Sequence, residues 1–126
     1  MKKYAEVNDD QFPILKVTFT GEESTDENFQ AYLDAVKDSY RSEKMGIIFD
    51  ATNAALPSMK HQKMQADWLK VNESLMKNYC VGTAYVIPSV IVRTILKAIF
   101  AFQTQPVPYL VVKTVEDGEE WIRTKL

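Results

Sequence analysis

The segment Met45-Gly46-Ile47-Ile48-Phe49-Asp50 limits the fold more than any other stretch of the chain. It is a short, nearly continuous apolar run that stops at a carboxylate, the pattern of a central strand covered on both faces. A strand of this kind demands two layers of cover, and the rest of the sequence must supply them.

Strands and helices alternate around it. Lys2–Val7 and Ile14–Phe19 read as two strands, separated by the turn-forming Asn8-Asp9-Asp10 and with Pro13 at a strand edge, which predicts an N-terminal β-hairpin. In the second strand Leu15, Val17 and Phe19 face inward while Lys16 and Thr18 face out. Ser24-Thr25-Asp26-Glu27 has capping-box spacing and opens a helix whose buried stripe is Phe29, Tyr32, Leu33, Val36 and Tyr40. After the polar loop Ala51–Pro57, Ser58 caps a second helix with a stripe of Met64, Trp68, Val71, Leu75 and Tyr79. Val81–Ile87 is a further strand, stopped by Pro88-Ser89, and an apolar helix runs from Val90 to about Phe102. Tyr109–Val112 is the last strand, and Thr114 begins a short helix carrying Trp121 and Ile122.

The order is ββαβαβαβα, which predicts an α/β domain with a mixed, mainly parallel sheet, flanking helices and one antiparallel strand from the hairpin. At 126 residues with no break in composition, residues 1–126 form a single domain. A hydrophobic fraction of 46% with 25% charged residues excludes disorder and fibrous architectures. The net charge of -2 lacks the basic surplus of a nucleic-acid binder. No signal peptide and no transmembrane segment is expected, and a cytoplasmic location follows as the default.

Three stretches resemble the STAS or SpoIIAA-like group, whose founding members are bacterial anti-sigma-factor antagonists. They are Ile47-Ile48-Phe49-Asp50-Ala51-Thr52-Asn53, then Gly82–Ser89 with Arg93 beyond it, and the closing Glu119-Glu120-Trp121. The second is similar to text in small uncharacterised bacterial proteins where a strand ending Ile-Pro-Ser precedes an Arg-bearing apolar helix. The resemblance implies a regulatory, protein-binding module. In the regulatory members a serine within Asp-Ser-Ser-Gly, at a helix start after the central strand, is phosphorylated to switch partner binding. That motif is missing here, and Ser58 is the hydroxyl at the matching helix start, as a phosphorylation candidate or simply as a cap.

A search for chemistry returns little. There is no glycine-rich phosphate loop and no metal-ligand spacing around the sole histidine, His61, which reads as a surface or first-turn residue. Cys80, the only cysteine, excludes an intramolecular disulfide and reads as a buried thiol. No catalytic constellation, metal or cofactor is expected, so the chain reads as a non-enzymatic module. Ligands of open α/β sheets gather at the carboxyl ends of the strands. The loops there hold Asp50, Thr52, Asn53, Ser58, Ser89 and Arg93, a set suited to recognising a polar ligand or a partner and equally suited to capping helices and turns.

The strongest functional clue is the apolar helix. Only Arg93, Thr94 and Lys97 interrupt it, and a helix on one side of a sheet buries about half its surface. Its apolar positions, with Ile91, Ile95, Ile99 and Phe102 as contact residues, therefore need a further neighbour. Three are open to it: helices of its own domain, a second protein chain including a symmetric homodimer, or an apolar medium, either a small apolar ligand of the kind held by lipid-binding domains of related fold or a membrane surface. The reading that follows is a regulatory or protein-interaction module acting through this helix and the strand-end loops, with a carrier or sensor of a small apolar ligand as the alternative.

Overall fold

Alternation of side chains along each strand, together with strand register, decides which residues meet on each side of the sheet. The computed structural model of the protein describes residues 2–90, 93, 94, 97 and 105–126. Five strands are hydrogen-bonded in the order β1 (Ala5–Asn8), β2 (Ile14–Phe19), β3 (Met45–Asp50), β4 (Cys80–Val86) and β5 (Tyr109–Val112). The first pair is antiparallel and the other three are parallel, as the sequence predicts. β3 lies in the middle with Met45 to Phe49 buried, which is the double cover its apolar run requires.

The register Leu15↔Ile47↔Thr83 and Val17↔Phe49↔Tyr85 assigns these side chains to one face. That face is covered by α1 (Asp26–Asp38), α2 (Met59–Val71) and α3 (Glu73–Tyr79), whose Phe29, Tyr32, Leu33, Val36, Leu69 and Met76 complete the larger core cluster. Crossovers of one hand that advance steadily across a sheet put their helices on the same side, and α1 to α3 obey this. The opposite face carries Ile14, Ile48, Ala84, Val86 and Val112 under α4 (Val115–Arg123), which contributes Ile122 and Trp121.

This second face is packed unusually close, and glycine is the reason. A methyl group at Gly46 would lie 2.3 Å from Ile122 Cγ2, and one at Gly82 would lie 2.9 Å from Trp121 Cη2. Both are far inside the 3.5–4.0 Å of ordinary carbon contact. The helix settles into a trough that any side chain at these two strand positions would fill.

Local chemistry sets most boundaries. Thr25, one residue inside the predicted capping stretch, accepts the Asn28 amide at 3.0 Å while Asn28 Oδ1 accepts the Thr25 amide at 2.7 Å, so the box closes on Asn28. Thr114 caps α4 by accepting the Asp117 amide at 3.1 Å. Two expectations are corrected. β1 starts at Ala5, because Ala5↔Phe19 is its first pair, leaving Lys2 and Lys3 outside the strand. The single helix read after Ser58 is two, broken at buried Asn72, whose backbone N–H and side-chain Nδ2 both donate to the Trp68 carbonyl at 2.9 Å. The buried positions Leu69, Asn72 and Met76 follow one another at i, i+3 and i+7, a stripe offset from the predicted one, and Val71 is 79% exposed.

Candidate functional site

The α1–α3 face is not filled. A cavity of about 380 Å³ lies between the sheet and the helices, toward the carboxyl ends of the parallel strands. Its sheet wall is Ile47 and Phe49 from β3, Thr83 and Tyr85 from β4, and Phe19 from β2. The rings of Phe19, Phe49 and Tyr85 stand in a near-parallel row across three strands, with centroids 6.2 and 5.1 Å apart and interplanar angles of 17° and 12°. The helical wall comes from Phe29 and Tyr32 of α1, Gln65, Trp68 and Leu69 of α2, and Met76 of α3. The loop after β3 forms the roof through Ala51 and Ala54–Pro57.

Magnitude decides what such a space means. At about 24 cal/mol per Å³, a dry, closed void of this volume would cost on the order of 9 kcal/mol. That is comparable to the whole stability of a domain this size, and protein interiors are otherwise close-packed. The space is therefore a site for solvent or a ligand, not a packing defect.

The cavity's polar groups are mostly committed to its own walls. Tyr4 donates to the Ala55 carbonyl at 2.9 Å, tying the roof to the sheet edge, and Tyr32 donates to Gln65 Oε1 at 3.0 Å, tying α1 to α2. Tyr85 donates to Gln105 Oε1 at 3.2 Å, and Gln62 donates to the Pro57 carbonyl at 2.9 Å. Burial pushes the Tyr4 phenol up to about 12 and raises Tyr32 and Tyr85 as well. All three are neutral hydroxyls at neutral pH, and no described lining residue carries a formal charge.

Beside the roof, the starts of α1 and α2 are joined by a polar clasp. His61 is 5% exposed, which corrects its reading as a surface residue. Its Nδ1 lies 2.9 Å from Ser58 Oγ and 2.7 Å from Ser24 Oγ, its Nε2 lies 2.9 Å from Asp26 Oδ1, and its ring stacks on Phe29 at 5.3 Å. Asp26 also accepts from Lys60 Nζ at 2.8 Å. Lys60 first and His61 second hold the Asp26 carboxyl below its ordinary value. Ser58, His61 and Asp26 have the connectivity of a nucleophile, a base and its orienting acid. Two features make the arrangement a clasp instead: Ser58 Oγ accepts the His61 amide as the α2 cap, and Ser24 shares the same imidazole nitrogen.

The sequence matches no protein-family model and no curated protein. In three dimensions the chain is similar to the crystal structure of an uncharacterized protein from the DUF3478 family, with a SpoIIAA-like fold, from Shewanella loihica PV-4. The TM-score is 0.63 at 13% identity, and the match covers 94% of this chain and 91% of that chain. This chain has a SpoIIAA-like fold.

Within the SpoIIAA-like framework the predicted site residues separate into local pairs. Asp50 Oδ1 accepts both the Thr52 amide at 3.1 Å and the Thr52 hydroxyl at 2.6 Å, a turn closed on itself. The Asn53 carbonyl packs where a side chain at Gly21 would lie, 3.0 Å away, and Gly21 has the positive φ of 90° that glycine tolerates. Ser58 belongs to the clasp. The Ser89 carbonyl accepts the Arg93 amide at 2.9 Å in a helical turn, and Arg93 Nε is buried without a hydrogen-bond partner. None of these six residues is part of the cavity lining, although the loop bearing Thr52 and Asn53 roofs it. Ile91, Ile95, Ile99 and Phe102 of the predicted contact helix lie outside the described residues. Cys80 is buried, as expected, and burial pushes its thiol up to about 11.

Proposed function

We propose that this SpoIIAA-like chain is a non-enzymatic binding module that encloses a small apolar ligand, as a carrier or sensor. The observation that carries the reading is the hollow, aromatic-lined space on the α1–α3 face, in a domain whose opposite face is packed to the limit glycine allows. Its volume falls in the range of small-molecule sites, and its position at the carboxyl ends of parallel strands is where open α/β sheets hold ligands. No helix among the described residues is long and apolar enough to cross a membrane, and the cytoplasm is the proposed location.

A second reading, a protein-interaction module that pairs with itself or a partner, is favoured by the SpoIIAA-like fold and by the apolar sequence from Val90 to Phe102. Asp50, Thr52, Asn53, Ser58, Ser89 and Arg93 would then provide polar recognition beside that helix. Native mass spectrometry of gently purified protein, followed by titration with the neutral dye N-phenyl-1-naphthylamine, tests both. A retained small mass, or saturable fluorescence that Leu69→Phe abolishes by filling the hollow, supports the ligand module. A clean dimer that takes up no dye overturns it in favour of the interaction module, and the same spectrum reports any phosphate on Ser58.

A further inference from the structure

Among the described lining residues, one fully buried side-chain polar atom has no hydrogen-bond partner. Thr83 lies on the interior strand β4, 1% exposed, with its side chain on the cavity face beside Ile47, and its Oγ1 has no hydrogen-bond partner. The Tyr85 phenol, two residues along the same strand face, donates to Gln105 Oε1; Thr83 is near enough to it to offset part of the upward push of burial on that phenol, yet Thr83 Oγ1 makes no hydrogen bond of full geometry. A buried hydroxyl with no partner costs about 1–3 kcal/mol, and valine is nearly the same shape without that cost. The hydroxyl therefore sits at a position where an apolar side chain would give a more stable empty protein.

We infer that Thr83 is the polar reader of the cavity, and that the ligand is a neutral, flat, mainly aromatic molecule bearing a single hydroxyl, amine or carbonyl group directed at Thr83 Oγ1. Three features of the site set this class. The parallel rings of Phe19, Phe49 and Tyr85 offer stacking faces and edges to a flat partner. The described lining holds no charged residue, so an ionised ligand would be buried without compensation. A hydroxyl both donates and accepts, so Thr83 serves either kind of polar group but has capacity for few of them. This inference rests on the ligand-binding reading above and adds to it the identity of the ligand's polar end.

The test is isothermal titration with naphthalene and 2-naphthol, two probes of one shape that differ by a hydroxyl, against the unaltered protein, Thr83→Val and Thr83→Ser. The expected result is that 2-naphthol binds the unaltered protein about three- to tenfold more tightly than naphthalene does. Thr83→Val is expected to erase that preference by weakening 2-naphthol alone, and Thr83→Ser, which keeps the hydroxyl, to retain it. Equal binding of both probes to the unaltered protein overturns Thr83 as a reader while leaving the cavity as a ligand site, and so does a preference that survives Thr83→Val. Failure of both probes to bind the unaltered protein overturns the ligand-binding reading together with this one.

Discussion

Gly46→Ala adds one methyl group and should destabilise the protein more than its size suggests. The new carbon would meet Ile122 at 2.3 Å from Cγ2, 3.1 Å from Cγ1 and 3.2 Å from Cδ1, so the two elements must separate by more than 1 Å to reach ordinary contact. Neither gives way easily, because β3 is hydrogen-bonded to a strand on each side and Ile122 is fully buried against Ala84 and Val112. Overpacking of this kind costs about 1–3 kcal/mol, and replacing glycine returns roughly 0.4–1 kcal/mol through the unfolded chain. A net loss of about 1–2 kcal/mol follows, read in urea unfolding by circular dichroism as a midpoint lower by on the order of 1 M with an unchanged slope. Ile122→Ala alone should cost about 2–5 kcal/mol, and the double variant should be little worse than Ile122→Ala, since the added methyl takes up vacated space. A neutral Gly46→Ala, or costs that simply add in the double variant, would refute the argument that glycine permits this contact.

Other outcomes follow from the clasp and the core. Asp26 titrates lower in the folded protein than unfolded, so its contribution is complete above the ordinary value of 3.8 and disappears as pH falls through the folded value. Asp26→Asn should therefore flatten the acid limb of a stability–pH profile measured by urea unfolding; an unchanged acid limb would refute the role of the clasp. Ser58→Ala removes a helix cap and should lower stability by about 1 kcal/mol in the same urea assay, with p-nitrophenyl acetate hydrolysis at background before and after; a Ser58-dependent rate would overturn the non-enzymatic reading. The Cys80 thiol, buried and pushed up to about 11, should react with a disulfide reagent at pH 8 only as fast as the protein opens, so that mild urea accelerates labelling steeply.

The layered plan was legible in the sequence because it rests on short-range signals. The unbroken apolar run at β3, the alternation in β2 and the hydroxyls at Thr25, Ser58 and Thr114 each fix one element or one boundary without reference to distant residues. The site was less legible. His61 looked like a first-turn surface residue because its partners Ser24 and Asp26 are 37 and 35 positions away and are brought to it only when α1 and α2 pack side by side. The cavity was invisible for the same reason. Phe19, Phe49 and Tyr85 each read as ordinary inward-facing strand residues, and only cross-strand register sets their rings in one row. Helix phase was a subtler loss: the spacing from Met64 to Tyr79 fits a helix well, but so does that of Leu69, Asn72 and Met76, and only packing against the sheet shows that the second set is buried while Val71 points to solvent. An absence of volume leaves no mark in a linear pattern, since hollow and filled cores draw on the same apolar residues.

The unequal packing of the two sheet faces also makes the domain mechanically lopsided. Pressure favours states that eliminate internal void, so the hollow side is the compressible one, while the face where α4 rests on Gly46 and Gly82 has almost nothing to surrender. Under rising hydrostatic pressure, the resonances of Ile47, Phe49 and Tyr85 should move first and those of Ile48 and Ala84 last, although these residues alternate along the same two strands. A sheet one residue thick would then separate a soft half of the molecule from a stiff one, with α4 serving as the backplate against which the other side yields.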